Sequence, residues 1–311
     1  MNRTFRCVLL AAACGAATAR AQSTTGPTVS DRSQAPGRLS SNPLIAEADR
    51  MYLRRQEGRV GARASTGPIN SAISGYEAAA SRDPDSVEAR WKLMRAFYFK
   101  GNFTGLDEES QKAVFEKAKR VGDEAVGILE KSVDDKGVKG ILEYGPEALA
   151  GALKDRSDSA PTYFWAAACW GQWAITQGKI EAVRMGAADK IRSYGLTVIG
   201  IDPEFEDGGG YRVVGRLNDQ APWIPFITGW VSRDEALKYL RLAMKVSPRN
   251  FSNRHFLADA LHHGGDAKDQ AEAIALEEAL VADAPSPQRL VEELSMQEMA
   301  RQNLEAWKKA S

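Results

Sequence analysis

The chain has 311 residues, 43% of them hydrophobic and 26% charged, which excludes a wholly disordered or collagen-like polymer. Lys plus Arg and Asp plus Glu both total 41, so global charge argues against a nucleic-acid binder. Three histidines, His255, His262 and His263, confine histidine chemistry to one short stretch.

Residues 1–21 read as a cleavable signal peptide. Arg3 and Arg6 give a basic start, Val8–Ala13 with Ala16 and Ala17 a short apolar run, and Ala19-Arg20-Ala21 a small-residue cleavage site before Gln22. A second reading takes Leu10–Gly15 as a degenerate lipobox with Cys14 as the lipid anchor. Cleavage before Gln22 removes three arginines and two cysteines, leaving Cys169 alone and no intramolecular disulfide. An exported or periplasmic location is expected. Residues 22–42, rich in Ser, Thr, Gly, Pro and Gln, read as a flexible leader.

From 43 to 311 the apolar spacing is helical, and an all-α domain is expected. Leu44, Ala48 and Met51 open the series; Ile69, Ile73, Tyr76 and Ala80 follow. Asp107–Val133 reads as one or two helices. Ala72, Tyr76, Ala79 and Pro84 match the second-helix spacing of a tetratricopeptide repeat, and so do Ala236, Leu240, Ala243 and Pro248. Small residues let helices approach, the large one fills the groove, and proline ends the helix. Degenerate hairpins of this kind, stacked as a curved solenoid or a bundle, are the expected architecture. An irregular helical bundle is the competing one.

The middle of the chain carries the unusual features. Pro161–Gln177, PTYFWAAACWGQWAITQ, is apolar all round and reads as a buried helix too short to span a membrane. Its rings pack the core or line an apolar ligand cavity; Trp165, Trp170, Trp173 and, farther on, Tyr211 are the candidate lining residues. Glu204–Arg216, EFEDGGGYRVVGR, reads as a glycine loop with a helix starting near Tyr211. Gly215 permits close helix contact. Arg212 and Arg216 share a helix face; they meet an anionic group or pair with Glu206 and Asp207, the simpler reading. Asn218–Trp230, NDQAPWIPFITGW, reads as a rigid aromatic loop over a groove end. The histidines sit at a helix end before Gly264-Gly265, with no zinc motif around them, and no metal or cofactor is expected. No nucleophile elbow is present, and no carboxylate pair stands out as acid and base; a non-enzymatic protein is expected.

The aromatic helix Tyr163–Trp173, the Gly208–Leu217 stretch and the Ala236–Pro248 repeat with its Asn250–Ala258 continuation together resemble the T-component proteins of tripartite ATP-independent periplasmic (TRAP) transporters. The resemblance implies an all-helical periplasmic protein of tetratricopeptide-like pairs with a cavity through the protomer. It implies a periplasmic substrate-binding protein as partner and, in some members, homo-oligomers. The chain is then expected to be a transport accessory that holds a small hydrophobic ligand. A general protein-interaction scaffold in the cell envelope is the alternative.

Overall fold

A computed structural model describes residues 39–134 and 145–310. The expected signal peptide, and the leader up to residue 38, lie outside the described residues. The end of the leader is tied down: the Ser40 amide donates to Asp49, its hydroxyl donates to Glu88, and the Asn42 side chain caps the first helix.

The described residues form thirteen α-helices and no strand, so the all-α expectation holds. They are α1 Pro43–Leu53, α2 Thr66–Arg82, α3 Val87–Phe103, α4 Glu108–Asp134, α5 Pro146–Leu153, α6 Ser159–Gln177 and α7 Lys179–Arg184. Next come α8 Ala187–Ile201, α9 Phe205–Gln220, α10 Arg233–Val246, α11 Phe251–His262, α12 Ala267–Ala282 and α13 Leu290–Ala310. Side chains set many of the starts. Ser86, Ser232, Asn250 and Asp266 each accept a hydrogen bond from a first-turn amide of the helix that follows. Asp107–Val133 resolves as one helix, α4.

Most helices pack on their neighbours in sequence: α1 on α2, α2 on α3, α3 on α4, and α8 through α13 each on the next. Two helices depart from this: α5 packs on α8, and α6 touches α3, α4, α7, α8 and α9. The repeat positions Ala72, Tyr76 and Ala79 on α2 are buried, as are Ala236, Leu240 and Ala243 on α10. The main core draws on Ile45 to Leu217 and on Val291 of α13, and smaller clusters hold α10 to α13. The two ends of the described chain meet. Arg55, just after α1, makes a buried 2.7 Å ion pair with Glu292 on α13, and its guanidinium also donates to the Gln288 carbonyl.

α9 departs from expectation. Its regular part begins at Gly209, two residues before Tyr211, because Glu206, Asp207 and Gly208 are all left-handed, with φ of 49°, 59° and 80°. The turn is held from outside: Arg212 donates to the carbonyls of Glu206 (3.0 Å) and Asp207 (3.5 Å), and Asn253 donates to that of Asp207 (3.0 Å). Gly215 makes the close contact its sequence suggested, against Leu240 of α10. A Cβ there would lie 2.7 Å from the Leu240 Cγ and 3.0 Å from its backbone nitrogen.

Gly215→Ala is therefore expected to destabilise the protein by about 1–3 kcal/mol, because α10 must shift. Gly127→Ala, on an exposed α4 position with open space around it, is expected to stabilise by about 0.5–1 kcal/mol through helix propensity. Urea denaturation of both variants checks the contrast; equal effects would refute the packing account.

Candidate functional site

An apolar cavity of about 400 Å³ lies where the end of α6 meets α7, α8 and the end of α9. That is within the range of small-molecule sites. Gly171, Ala174 and Ile175 of α6 form one wall, Ala182 and Val183 of α7 another, and Ile191 of α8 and Leu217 of α9 close the back. α7 is only one and a half turns long. It is bracketed by Gly178 and Gly186, whose φ values of 93° and 64° few other residues adopt cheaply. These two reversals swing α7 away from α6, and the small side chains of α6 leave the space unfilled.

The segment after α9 forms the lip, through Ala221, Pro222, Ile227 and Thr228. The buried Thr228 hydroxyl ties it: it donates to the Pro222 carbonyl (2.5 Å) and accepts from the Ile224 amide (2.9 Å). At the base, the Asn218 side-chain oxygen accepts from the Ser232 amide (3.2 Å). The Trp230 indole donates to Asp189 on α8 (3.1 Å). The lip presents apolar surface outward: Trp223 and Ile227 are exposed, and Phe226, held at φ 63°, is fully so. On α7, Ile180 is 88% exposed, and Met185, just after it, is exposed as well. Five large apolar side chains thus stand in water on the lip and at α7.

The four aromatic residues singled out in the sequence lie elsewhere. Trp170 and Trp173 come together, with ring centres 5.3 Å apart, and both indoles point at α4. Trp170 donates to Asp123 (2.9 Å) and Trp173 to Glu116 (2.5 Å). Lys119 and Lys190 each stand 4.5 Å from the Trp170 ring centre. Trp165 packs edge-on against Tyr98 of α3, and Tyr211 is half-buried 6.4 Å from Tyr239 of α10. The helix carrying the tryptophans does wall the cavity, but through Gly171, Ala174 and Ile175. The signal for the site was the pair of glycines around 179–184 with the exposed PWIPF loop. Cys169 is fully buried, which pushes its thiol well above the ordinary range.

A second, charged locus joins α9, α11, α12 and α13. The buried His255 imidazole meets Glu277 at 2.8 Å, with Asp259 3.9 Å from its other nitrogen. These three side chains stand close enough to share a metal ion. Three of their four carboxylate oxygens are engaged: Arg216 donates to Asp259 (2.9 Å), and the Asn303 amide donates to both Asp259 (2.8 Å) and Glu277 Oε1 (2.9 Å), while Glu277 Oε2 is buried without a hydrogen-bond partner. The locus is built as an ion-pair network. Arg216 also pairs with Asp219 (2.8 Å), so the two arginines flagged in the sequence diverge. Arg212 turns back to the left-handed carbonyls and to Asn253, its guanidinium pushed down to about 10 by burial; Arg216 reaches toward α11. His262 stacks flat on Trp307, 4.2 Å away.

Burial alone would lower the His255 pKa, but the Glu277 and Asp259 carboxylates outweigh it and hold it above the ordinary imidazole range. A raised folded-state pKa contributes stability that is complete below the unfolded value, about 6.5, and is lost as pH rises through the folded one. His255→Gln is expected to cost about 3 kcal/mol, since it leaves Glu277 buried without its counter-charge. It is also expected to flatten this part of the slope above about pH 6.5. Denaturation at several pH values checks this; a variant retaining the wild-type slope would count against a charged His255.

The chain matches no protein-family model and no curated protein.

Proposed function

We propose that the protein is a non-enzymatic, exported accessory of a TRAP-type transporter that holds a small hydrophobic ligand and hands it to a periplasmic substrate-binding protein. The observation that carries the ligand part is the apolar cavity at α6, α7, α8 and α9, with exposed apolar side chains on its lip and on α7. The transporter part rests on the sequence resemblance. Helix pairs of the tetratricopeptide kind belong to the same reading. Their support is the matched burial of Ala72, Tyr76 and Ala79 with Ala236, Leu240 and Ala243, and the helix ends at Arg82 and Val246, each shortly before a proline. A homo-oligomer joined through the exposed apolar side chains is compatible with it.

A scaffold reading has its own observation. A groove of about 690 Å³ runs between α2, α3 and α4, mixing Leu93 and Phe97 with Glu77, Arg90, Lys117 and Arg120. Such a surface suits an extended peptide with charges of both signs.

N-phenyl-1-naphthylamine, a neutral apolar dye, tests the first reading. Saturable fluorescence enhancement is expected for the wild type. Ala174→Trp, which fills the cavity, is expected to weaken the dye roughly tenfold, while Arg90→Ala in the α2–α4 groove leaves it unchanged. No saturable signal, or equal binding by Ala174→Trp, would remove the support for a ligand cavity. Recovery of an envelope assembly factor in place of a substrate-binding protein, through contacts abolished by Arg90→Ala, would favour the scaffold.

A further inference from the structure

The charged network reaches the cavity at one residue. Asp219 lies in the last turn of α9, directly before Gln220, which lines the cavity. Its carboxylate is almost wholly buried, with 4% of the side chain exposed. It accepts from Arg216 (2.8 Å) and from the Gln220 amide (2.6 Å), and meets His263 Nδ1 at 2.9 Å. His263 is different in kind: 53% of its side chain faces solvent, so it exchanges its proton freely. It stands at the carboxyl end of α11, where the helix dipole favours a cation.

We propose that His263 and Asp219 form a proton-operated latch on the lip of the cavity: a charged His263 clamps Asp219 and, through it, Gln220, and loss of the proton loosens the lip and lowers ligand affinity. The proposal rests on reading the cavity as a ligand site.

The local charge count supports a titrating clamp. Asp219 on α9, Asp259 on α11 and Glu277 on α12 bring three carboxyl groups close together, while Arg216 is the permanent cation among them and is divided between Asp219 and Asp259. His255 supplies the positive charge between Asp259 and Glu277, and His263 supplies it at Asp219. The other groups around His263 leave it in that role. Its neighbour His262 is lowered by burial and stacks on Trp307. Arg233 of α10 binds the His263 carbonyl (3.1 Å) and Asp269 of α12 (2.7 Å). The hydrogen bond that His263 donates to Asp219 raises the His263 pKa against partial burial, with Asp259 adding to the rise and Arg216 opposing it. The clamp is therefore complete below the ordinary imidazole pKa and lost as pH rises through the raised one.

Two readouts test it on the full chain. Hydrogen exchange of the amides 221–231, corrected for intrinsic rates, is expected to quicken roughly three- to fivefold from about pH 6 to pH 8.5, the scale of a half-exposed ion pair. N-phenyl-1-naphthylamine, which does not titrate in that range, is expected to lose affinity by a similar factor. His263→Gln keeps a donor but no titrating charge and should flatten both profiles; His255→Gln should leave the lip profile in place. Lip exchange that ignores pH, or a His263→Gln chain with the wild-type profile, overturns the latch. A lip that responds while dye affinity stays constant overturns its link to the ligand. A lip that responds in a protein that never binds dye sustains the latch and sinks the cavity reading instead.

Discussion

The rest of the fold depends on the burial of one helix from every side. α6 carries three consecutive alanines, a cysteine, three tryptophans, a tyrosine and a phenylalanine, and from Ser159 to Trp173 each residue is buried. Such a helix has no face to offer water, so it is stable only where others surround it. α3, α4, α8 and α9 do so, and α7 turns off its end. The small residues admit close neighbours: a Cβ on Gly122 of α4 would touch the Ala166 backbone, and the Cys169 thiol reaches the Met94 carbonyl of α3. Trp170 and Trp173 bring a polar cost that α4 meets at Glu116 and Asp123, seven residues apart and so on one helix face, while the Trp165 indole nitrogen is buried without a hydrogen-bond partner. The cavity is a local consequence of the same helix. Where α6 changes from aromatic to Gly171, Ala174 and Ile175, the surrounding layer has less to close on.

The carboxyl-terminal helices are joined by a different kind of interaction. Their apolar clusters are small, and the contacts between them are rich in buried charge: Arg216 of α9 with Asp259 of α11, and His255 of α11 with Glu277 of α12, both carboxylates bridged by Asn303 of α13. Buried ion pairs contribute little net stability relative to apolar packing, but removing one partner is costly. They therefore fix how α11, α12 and α13 sit on α9 more than they hold them there. This makes the junction sensitive to proton concentration in a way the α6 core is not. Loss of a proton from His255 or His263 removes a positive charge from beside these carboxyl groups, whereas burial pushes Tyr163, Cys169 and Tyr194 of the aromatic core farther from neutrality.

How far the sequence was readable follows from the range of each interaction. Helical periodicity is local, so α2, α10 and α11 were visible from their apolar spacing. The close approach at Gly215 was visible too, because glycine within a helix has few other uses. The left-handed turn was only half visible. Gly208 announced it, but Glu206 and Asp207 join it because Arg212 and Asn253 capture their carbonyls, and Asn253 lies more than forty residues away. The direction of the tryptophans was not readable. Trp170 and Trp173 differ from cavity-lining rings only in that two carboxylates of α4 wait for their indole N–H groups. The His255–Glu277 contact was hidden for the same reason: it joins residues 22 apart on two helices and needs Asn303 from a third to complete it.

The loop after α9 marks where local and long-range causes meet. Its two prolines and its aromatic content made it readable as a rigid segment over a groove end, and its internal ties through Thr228 are local. Its attachment is not local. Asn218 holds its far end at Ser232, Trp230 holds it to Asp189 of α8, and Asp219 joins its near end to a histidine forty-four residues on. A loop that is stiff within itself moves as a unit about its anchors. Of these three anchors, the Asp219 contact is the one made with a histidine. A small electrostatic change at His263 is therefore delivered to the whole lip, because the Thr228 ties leave the segment little freedom to absorb it internally.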